Sequence, residues 1–207
     1  MASLSSEALK EIEATIAELE QRTAAELVVM EVGRSAGYGE IKLGYALAAS
    51  LAASAIAQLL WPDVPGAWHL WLQLGVALLT LALTSVPFVL RGIVPRALLT
   101  QWVEQRARLA FFDHHLFATR DRTGVLIMLS QLERRVVILG DAGIHAKIHA
   151  EGWKSHVDHI VKAIHAGKTG QGVCETLRAI GETLIAEFPP RADDVDELSN
   201  AVRRADR

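Results

Sequence analysis

Two long apolar stretches in the first half of the chain place the strongest constraint on its fold. They run from Leu43 to Trp61 and from Leu70 to Leu90, and contain 19 and 21 residues. A hydrocarbon core about 30 Å thick needs roughly 20 apolar helical residues, so each stretch is long enough to cross a bilayer. The segment between them, residues 62–69, contains two prolines and a glycine, which favours a turn. The pattern predicts a two-helix transmembrane hairpin over residues 41–92.

Two alternatives for this hairpin are less consistent with the sequence. A pair of helices that is apolar on all sides could form the core of a soluble protein, but a chain of 207 residues offers too little protein to surround them. A small transporter component is disfavoured because the two stretches hold no ionisable residue. Pro87 is tolerable in a membrane helix, although we expect it to kink or end the second one.

The basic residues around the hairpin predict its orientation. Lys42 precedes the first stretch, and Arg91, Arg96, Arg106 and Arg108 follow the second, whereas the turn holds no Lys or Arg. By the positive-inside rule, both termini are predicted to be cytoplasmic in a multi-pass protein of a bacterial-type inner membrane. The net charge of -3 gives no general basic surface, so nucleic acid is not expected as a partner.

Outside the hairpin, the periodicity alternates between helices and strands. A Ser5 cap and apolar residues at helical spacing predict a first helix, and the last helix is followed by Pro189-Pro190 and a charged tail, residues 191–207, expected to be helical or disordered. The other predicted elements are a strand at 25–33, a helix at 95–117, antiparallel strands at 123–130 and 134–139, a helix at 144–166 with a break near Gly152, and a helix at 168–188.

The strand at 25–33 has its expected partners almost ninety residues later, on the other side of the hairpin. A lone strand leaves its edges unpaired, so residues 1–40 and 96–190 are predicted to form one α/β domain with a small sheet sandwiched by helices. The hairpin is then an insertion that splits this domain in sequence. Both of its ends must lie on the same membrane face, which agrees with the charge asymmetry.

The same pattern resembles the TPM domain family over residues 5–42 and 100–190. The resemblance lies in Thr23 to Met30, Thr123 to Ser130, Glu133 to Gly140 and a glycine-rich helix that ends in Phe188-Pro189. It implies a compact α/β sandwich, often tethered to a membrane, with divalent-cation binding and weak acid phosphatase activity in some members. The chain departs from the family pattern in its membrane hairpin, and in Gly140 to Ile144 where many members have a Gly-Tyr-Gly-like turn.

Two aspartates are the candidate metal ligands. Asp121 precedes one predicted strand and Asp141 follows its antiparallel partner, so both are expected at one edge of the sheet. Carboxylates on converging loops suit Ca²⁺ or Mg²⁺, which prefer oxygen ligands. Local turn capping is the alternative role for such residues. Glu26 and Glu31 on the first strand could contribute, although solvent-facing or salt-bridged carboxylates explain them better.

Histidines, the cysteine and one loop offer weaker signals. His145 with His149, and His156 with His159, each share a helix face as zinc ligands require, but a solvated face explains them better. Cys174 is expected to be a small buried residue in a helix. The sequence Lys168-Thr169-Gly170 lacks the glycine spacing of a phosphate loop and favours a helix cap. The sequence identifies no catalytic residue.

These observations favour a non-enzymatic function. We expect a membrane-anchored interaction or accessory domain facing the cytoplasm, with the lipid bilayer and another membrane or cytoplasmic protein as partners and a divalent cation as a candidate ligand. The alternative is a metal-assisted phosphatase that uses Asp121 and Asp141.

Overall fold

The computed structural model describes residues 3–148, 150–190 and 198–205. Its internal contacts divide the chain into two units: residues 1–35 with 99–207, here the sheet unit, and residues 36–98, here the hairpin unit. The elements in chain order are α1 (Ser6–Glu20), β1 (Glu26–Val32), α2 (Gly39–Leu60), α3 (Gly66–Ser85), α4 (Pro87–Ile93), α5 (Arg96–Asp113), a 3-10 turn (Leu116–Ala118), β2 (Gly124–Ser130), β3 (Arg135–Gly140), α6 (Ala142–Lys147), α7 (Ala150–His165), α8 (Thr169–Glu187) and β4 (Arg203–Ala205).

The described strands form one sheet in the order β3-β2-β1-β4. Strands β1 and β2 pair in parallel, with Glu26 opposite Gly124 and Val32 opposite Ser130, and β2 pairs antiparallel with β3. The predicted strand hairpin and the long-range pairing of the first strand are therefore confirmed. The two apolar helices α2 and α3 lie between β1 and β2 in the sequence. The chain thus has the predicted mixed α/β fold, split by an inserted helical pair.

Helices cover both faces of the sheet. Successive side chains of a strand point to opposite faces, so β1 and β2 each supply two apolar sets. Leu27, Val29 and Ile127 share one core with residues of α1, α7 and α8. Val28 and Leu126 share the second core with Val103, Ala107 and Ala110 of α5. Because all residues of β1 and β2 are buried, this is the predicted sandwich of helices around a small sheet.

Helix α8 packs closely on its neighbours, and this explains part of its sequence. A Cβ atom at Gly172 would collide with the Cβ of Ala163 in α7, so the glycine permits the close approach of the two helices.

Lys168, which precedes α8, makes no capping hydrogen bond through its side chain. The helix cap predicted at Lys168-Thr169-Gly170 is confirmed in position, because Lys168 is the N-cap and the helix begins at Thr169. Cys174 is fully buried as predicted, and this burial raises the pKa of its thiol.

The hairpin unit is built from two long helices and a short one. Helices α2 and α3, of 22 and 20 residues, are both long and apolar enough to cross a membrane. Their large apolar side chains are exposed: Leu59 is 82% and Leu79 59% accessible. Helix α3 ends at Ser85 and α4 begins at Pro87. Pro87 was predicted either to kink or to end the second long helix, and it ends the helix.

Two predicted helices differ from those observed. The helix expected at 95–117 ends at Asp113, because His115 adopts a left-handed conformation (φ 57°) ahead of the 3-10 turn. The helix expected at 144–166 begins earlier, at Ala142, and breaks after Lys147 instead of near Gly152. Asp141 caps the new start with a side-chain hydrogen bond, and Ile148 is extended, which ends α6.

The prediction that residues 191–207 form a helical or disordered tail outside the α/β domain is wrong for residues 203–205. Residues 203–205 form β4, which pairs in parallel with β1, Met30 lying opposite Arg203. The N–H groups of Gly33 and Val202 also donate to the Ala205 carbonyl and to Glu13. Strand β1 would otherwise leave an unpaired edge, and the C-terminal segment covers it. The tail residues 191–197 lie outside the described residues, as do 206 and 207.

Candidate functional site

The loops that carry Asp121 and Asp141 meet at the edge of the sheet where β2 begins and β3 ends. The N–H of Gly143 donates to the Arg122 carbonyl (2.9 Å), and the N–H of Asp141 donates to the Gly124 carbonyl (2.9 Å). A Cβ atom at Gly143 would collide with the Asp121 carbonyl, so glycine is required for this approach. The backbone of the two loops therefore converges at one end of the sheet, as the predicted strand hairpin requires.

The Asp141 carboxylate has two structural partners. Arg122 donates to it through both Nε (2.7 Å to Oδ2) and Nη2 (3.1 Å to Oδ1), and the Ala142 N–H donates to Oδ1 (2.7 Å). Asp141 is 6% exposed, whereas Asp121 is on the surface. A bidentate arginine pair of this kind satisfies a carboxylate both in charge and in geometry. A Ca²⁺ or Mg²⁺ ion at Asp141 would therefore compete with the Arg122 guanidinium.

A second group of carboxylates, Glu31 and Glu133, lies at the opposite end of the sheet, where β1 and β2 end; the sequence analysis named Glu31 but missed Glu133. Glu31 is only 3% exposed, and its carboxylate accepts from the Leu4 N–H (2.9 Å), Gln131 Nε2 (2.8 Å) and Arg204 Nε (3.1 Å). Arg204 also donates to the Leu4 carbonyl (2.7 Å). Of the two expected roles of Glu31, the salt bridge is confirmed and solvent exposure is wrong. The network joins the N-terminal segment, β1 and β4.

Glu133 organises the turn between β2 and β3 at the same edge. Its carboxylate accepts from the Ser35 N–H (3.0 Å) and, through a very short hydrogen bond, from the Ser130 hydroxyl. The Ser35 and Ser130 hydroxyl oxygens are 2.8 Å apart. Ser130 is fully buried, so its hydroxyl is inaccessible to a substrate, and Glu133 is 5% exposed. The arrangement fixes the turn and the exit of β1.

The two histidines of the predicted pair in α7, His156 and His159, have different surroundings. His159 Nε2 lies 2.9 Å from Glu175 Oε2 of α8, and this hydrogen bond is the largest cause of a lowered pKa for Glu175. His156 has a lowered pKa because of burial first and repulsion from His159 second. His149, the expected partner of His145, lies outside the described residues. Within residues 3–148, 150–190 and 198–205, no three His, Cys, Asp or Glu side chains converge in a metal-binding arrangement.

The hairpin unit has two chemically different ends. Trp61, Trp68 and Trp71 lie at the turn between α2 and α3 and are 60%, 64% and 68% exposed. At the other end, Lys42 Nζ donates to Ser85 Oγ (3.5 Å) and the Tyr45 hydroxyl donates to the Ile93 carbonyl (3.1 Å). The end with the three tryptophans carries no Lys or Arg. The opposite end carries Lys42, Arg91 and Arg96.

Comparison with known proteins gives a likeness in fold. No protein-family model matches the chain, and a search of curated protein sequences finds no match. Among solved structures, the chain is similar to the NMR structure of the BA42 protein from the psychrophilic bacterium Bizionia argentinensis sp. nov., with a TM-score of 0.61 and 19% identity over 99% of this chain and 97% of that one. At this identity the likeness concerns the fold alone.

Proposed function

We propose that the chain is a membrane-anchored α/β domain that faces the cytoplasm of a bacterial-type cell. In this proposal α2 and α3 cross the inner membrane as a hairpin, and the sheet unit acts as an interaction or accessory module for another membrane or cytoplasmic protein. Membership of the TPM domain family, drawn from the sequence resemblance, is part of the proposal.

The observation that carries the proposal is the parallel pairing of β1 with β2 across the inserted helices. Neighbouring strands of one sheet must lie on the same side of a membrane, so a segment between them that enters a bilayer must also return. Two membrane-crossing helices return the chain to the side on which it started, whereas a single crossing helix would leave β1 and β2 on opposite sides. At 1.5 Å per residue, α2 and α3 are about 33 Å and 30 Å long, which matches the hydrocarbon thickness.

The surface chemistry of the hairpin unit supports the same placement and gives its direction. Exposed leucines cover the middle of both helices, and such a surface in water would favour aggregation. The three tryptophans at the turn match an interfacial aromatic belt, whereas the Lys and Arg residues gather at the opposite end. We therefore place the turn in the periplasm and both chain termini in the cytoplasm.

Reporter fusions test this topology. A reporter that is active only in the periplasm should be inactive when fused after residue 207 and active when inserted after Val64 in the turn. A cytoplasmic fluorescent reporter at the same two positions is the control and should give the reverse pattern. High periplasmic activity at residue 207 would contradict the proposed orientation, and inactivity at both positions would contradict the hairpin.

The hydrogen bonds of the buried carboxylates in the sheet unit weigh against the phosphatase alternative. Glu31, Glu133 and Asp141 all accept hydrogen bonds from main-chain N–H groups, which assigns each of them a structural role. A pull-down from detergent-solubilised membranes, with the chain as bait, tests for a stoichiometric protein partner. Saturable, cation-dependent hydrolysis of an aryl phosphate by the purified protein would instead favour the phosphatase alternative.

A divalent cation at Asp121 and Asp141 is a further element of the proposal. The convergence of the two loops supports it, and Arg122 is the group that a cation would displace. Ligand binding to the folded state raises its stability by about 2.7 kcal/mol at a hundredfold excess over Kd, which a melting curve detects. Millimolar Ca²⁺ or Mg²⁺ should therefore raise Tm, Asp121→Asn and Asp141→Asn should reduce the shift, and Arg122→Gln should increase it. Equal shifts in all four proteins would remove these aspartates as ligands.

A further inference from the structure

A shallow apolar groove lies on the hairpin unit at its basic end. Its volume is about 320 Å³, and it is lined by Ile41, Gly44, Tyr45, Ala48, Ile93 and Pro95. The four lining residues of α2 follow the spacing i, i+3, i+4 and i+7, so they form one helix face. The hydrogen bond from the Tyr45 hydroxyl to the Ile93 carbonyl connects this face to the end of α4 and fixes the two walls of the groove.

Every Lys and Arg of the hairpin unit lies at this end. Lys42 is in the first turn of α2, Arg91 in the last turn of α4, and Arg96 is the first residue of α5. The hydrogen bond from Lys42 to Ser85 brings the α2 ammonium group beside the end of α3. Glu40 is the single carboxylate of residues 36–98 at this end, so the elements at this end carry three cationic residues and one anionic residue.

We propose that this groove binds one acyl chain of an anionic phospholipid whose headgroup phosphate contacts Lys42, Arg91 and Arg96. The inference rests on the proposed function, because only a hairpin in a bilayer meets acyl chains at this depth. An apolar groove supplies the surface for the chain, and the three cations supply the charge complement of a phosphodiester. Basic groups near a membrane helix on the cytoplasmic side attract anionic lipids in this way.

A second groove in the same unit provides an internal contrast. It has a volume of about 270 Å³ and is lined by Ala57, Trp61, Val64, Trp68, His69 and Leu72 at the turn. It is similarly apolar, but the residues around the turn include no Lys or Arg. A lipid that is selected by apolar contact alone would use both grooves, whereas one selected by its phosphate charge would use only the basic one. Selectivity for anionic over zwitterionic lipid therefore distinguishes the proposed site from ordinary lipid contact.

The test uses the full-length chain reconstituted in vesicles of phosphatidylcholine and phosphatidylglycerol at 7:3 and then extracted gently into detergent. Native mass spectrometry counts the lipids that each chain retains. We expect about one retained phosphatidylglycerol per chain, and a reduction of about tenfold or more in the triple variant Lys42→Gln, Arg91→Gln, Arg96→Gln. The matched control, Lys10→Gln, Arg108→Gln, Lys154→Gln, removes the same charge from exposed positions of the sheet unit and should retain the lipid.

A glycine pair tests the apolar part of the site without any change in charge. A Cβ atom added at Gly44 or at Gly75 would meet no other atom within 4 Å, so both positions accept a side chain. Gly44→Leu would fill the groove and should lower retention of phosphatidylglycerol, whereas Gly75→Leu on α3 should leave it unchanged. Equal retention of the two lipid classes by the parent, or equal behaviour of the two triple variants, would overturn the proposed site.

The same vesicles separate this inference from the proposed function. A chain that resists alkaline carbonate extraction from pure phosphatidylcholine vesicles is integrated, whatever its lipid selectivity. Integration without selectivity would overturn the lipid site and leave the membrane anchor standing. Complete extraction by carbonate would overturn the membrane anchor, and the lipid site with it.

Discussion

The two units of this chain place the same residue type in opposite surroundings. Leu126 in β2 is fully buried, whereas Leu79 in α3 is 59% exposed. In the sheet unit the apolar runs are short and end in turns, and two helical layers cover them. In the hairpin unit each apolar run forms a helix of more than five turns, and almost none of its side chains are buried by other parts of the protein. The comparison shows that run length, rather than apolar character, distinguishes a core residue from a residue expected to face lipid.

The largest predicted effect comes from separating the two units. Replacing residues 36–98 with a Gly/Ser linker of about 15 residues removes the exposed apolar surface of α2 and α3 and leaves both core clusters intact. We expect the product to be soluble without detergent and to unfold cooperatively, as measured by circular dichroism in urea. An insoluble product, or one with no cooperative transition, would show that the sheet unit needs the hairpin for its core.

A matched pair of truncations sharpens the same comparison. Leu126→Ala leaves a cavity between β2 and α5 and should lower the free energy of unfolding of the sheet unit by about 2–5 kcal/mol. Leu79→Ala removes the same atoms from an exposed position and should change that free energy by less than about 0.5 kcal/mol. Urea unfolding of the full chain in one detergent measures both values. Similar losses in the two variants would mean that α3 contributes to the core of the sheet unit.

The sequence predicted the elements with strong local patterns and failed where long-range contacts decide. The buried runs of β1 and β2 and the tight link to β3 could be recognised because burial on both faces leaves a continuous apolar stretch. Strand β4 could not be recognised, since Arg203 to Ala205 has no apolar pattern and its position depends on partners such as Glu31 and Gly33, more than 150 residues earlier.

The candidate site shows the same division. The convergence of the Asp121 and Asp141 loops followed from the predicted strand hairpin, and local capping by Asp141 was the recognised alternative. Arg122 was missed as the partner of Asp141, although it directly follows Asp121, because the direction of a side chain at a turn depends on its backbone angles. Arg122 has φ of 59°, a conformation that sequence periodicity does not report.

The contact between Glu31 and Arg204 gives a smaller predicted effect within the sheet unit. Glu31→Gln keeps the shape of the side chain but removes the charge that holds Arg204, which is about half exposed. We expect a loss of about 1–3 kcal/mol in the free energy of unfolding and faster amide exchange at Gly33, whose N–H donates to β4. Glu18→Gln on the exposed face of α1 is the control. Unchanged exchange at Gly33 would mean that β4 is held without this ion pair.

The smallest predicted effect is a pH dependence at the end of α5. Burial lowers the pKa of His114 from its ordinary value of 6.5, and the positive charges of Arg203, Arg106 and His115 add to this, while Asp113 opposes it. A histidine whose pKa is lower in the folded state is protonated more readily when unfolded, so stability is lost as the pH falls below about 6.5. Between pH 7.5 and 5.5 we expect Tm to fall, and His114→Gln to reduce that fall by about 1–2 °C. The exposed His165→Gln is the control, and a pH profile of His114→Gln identical to that of the parent would show that His114 does not contribute.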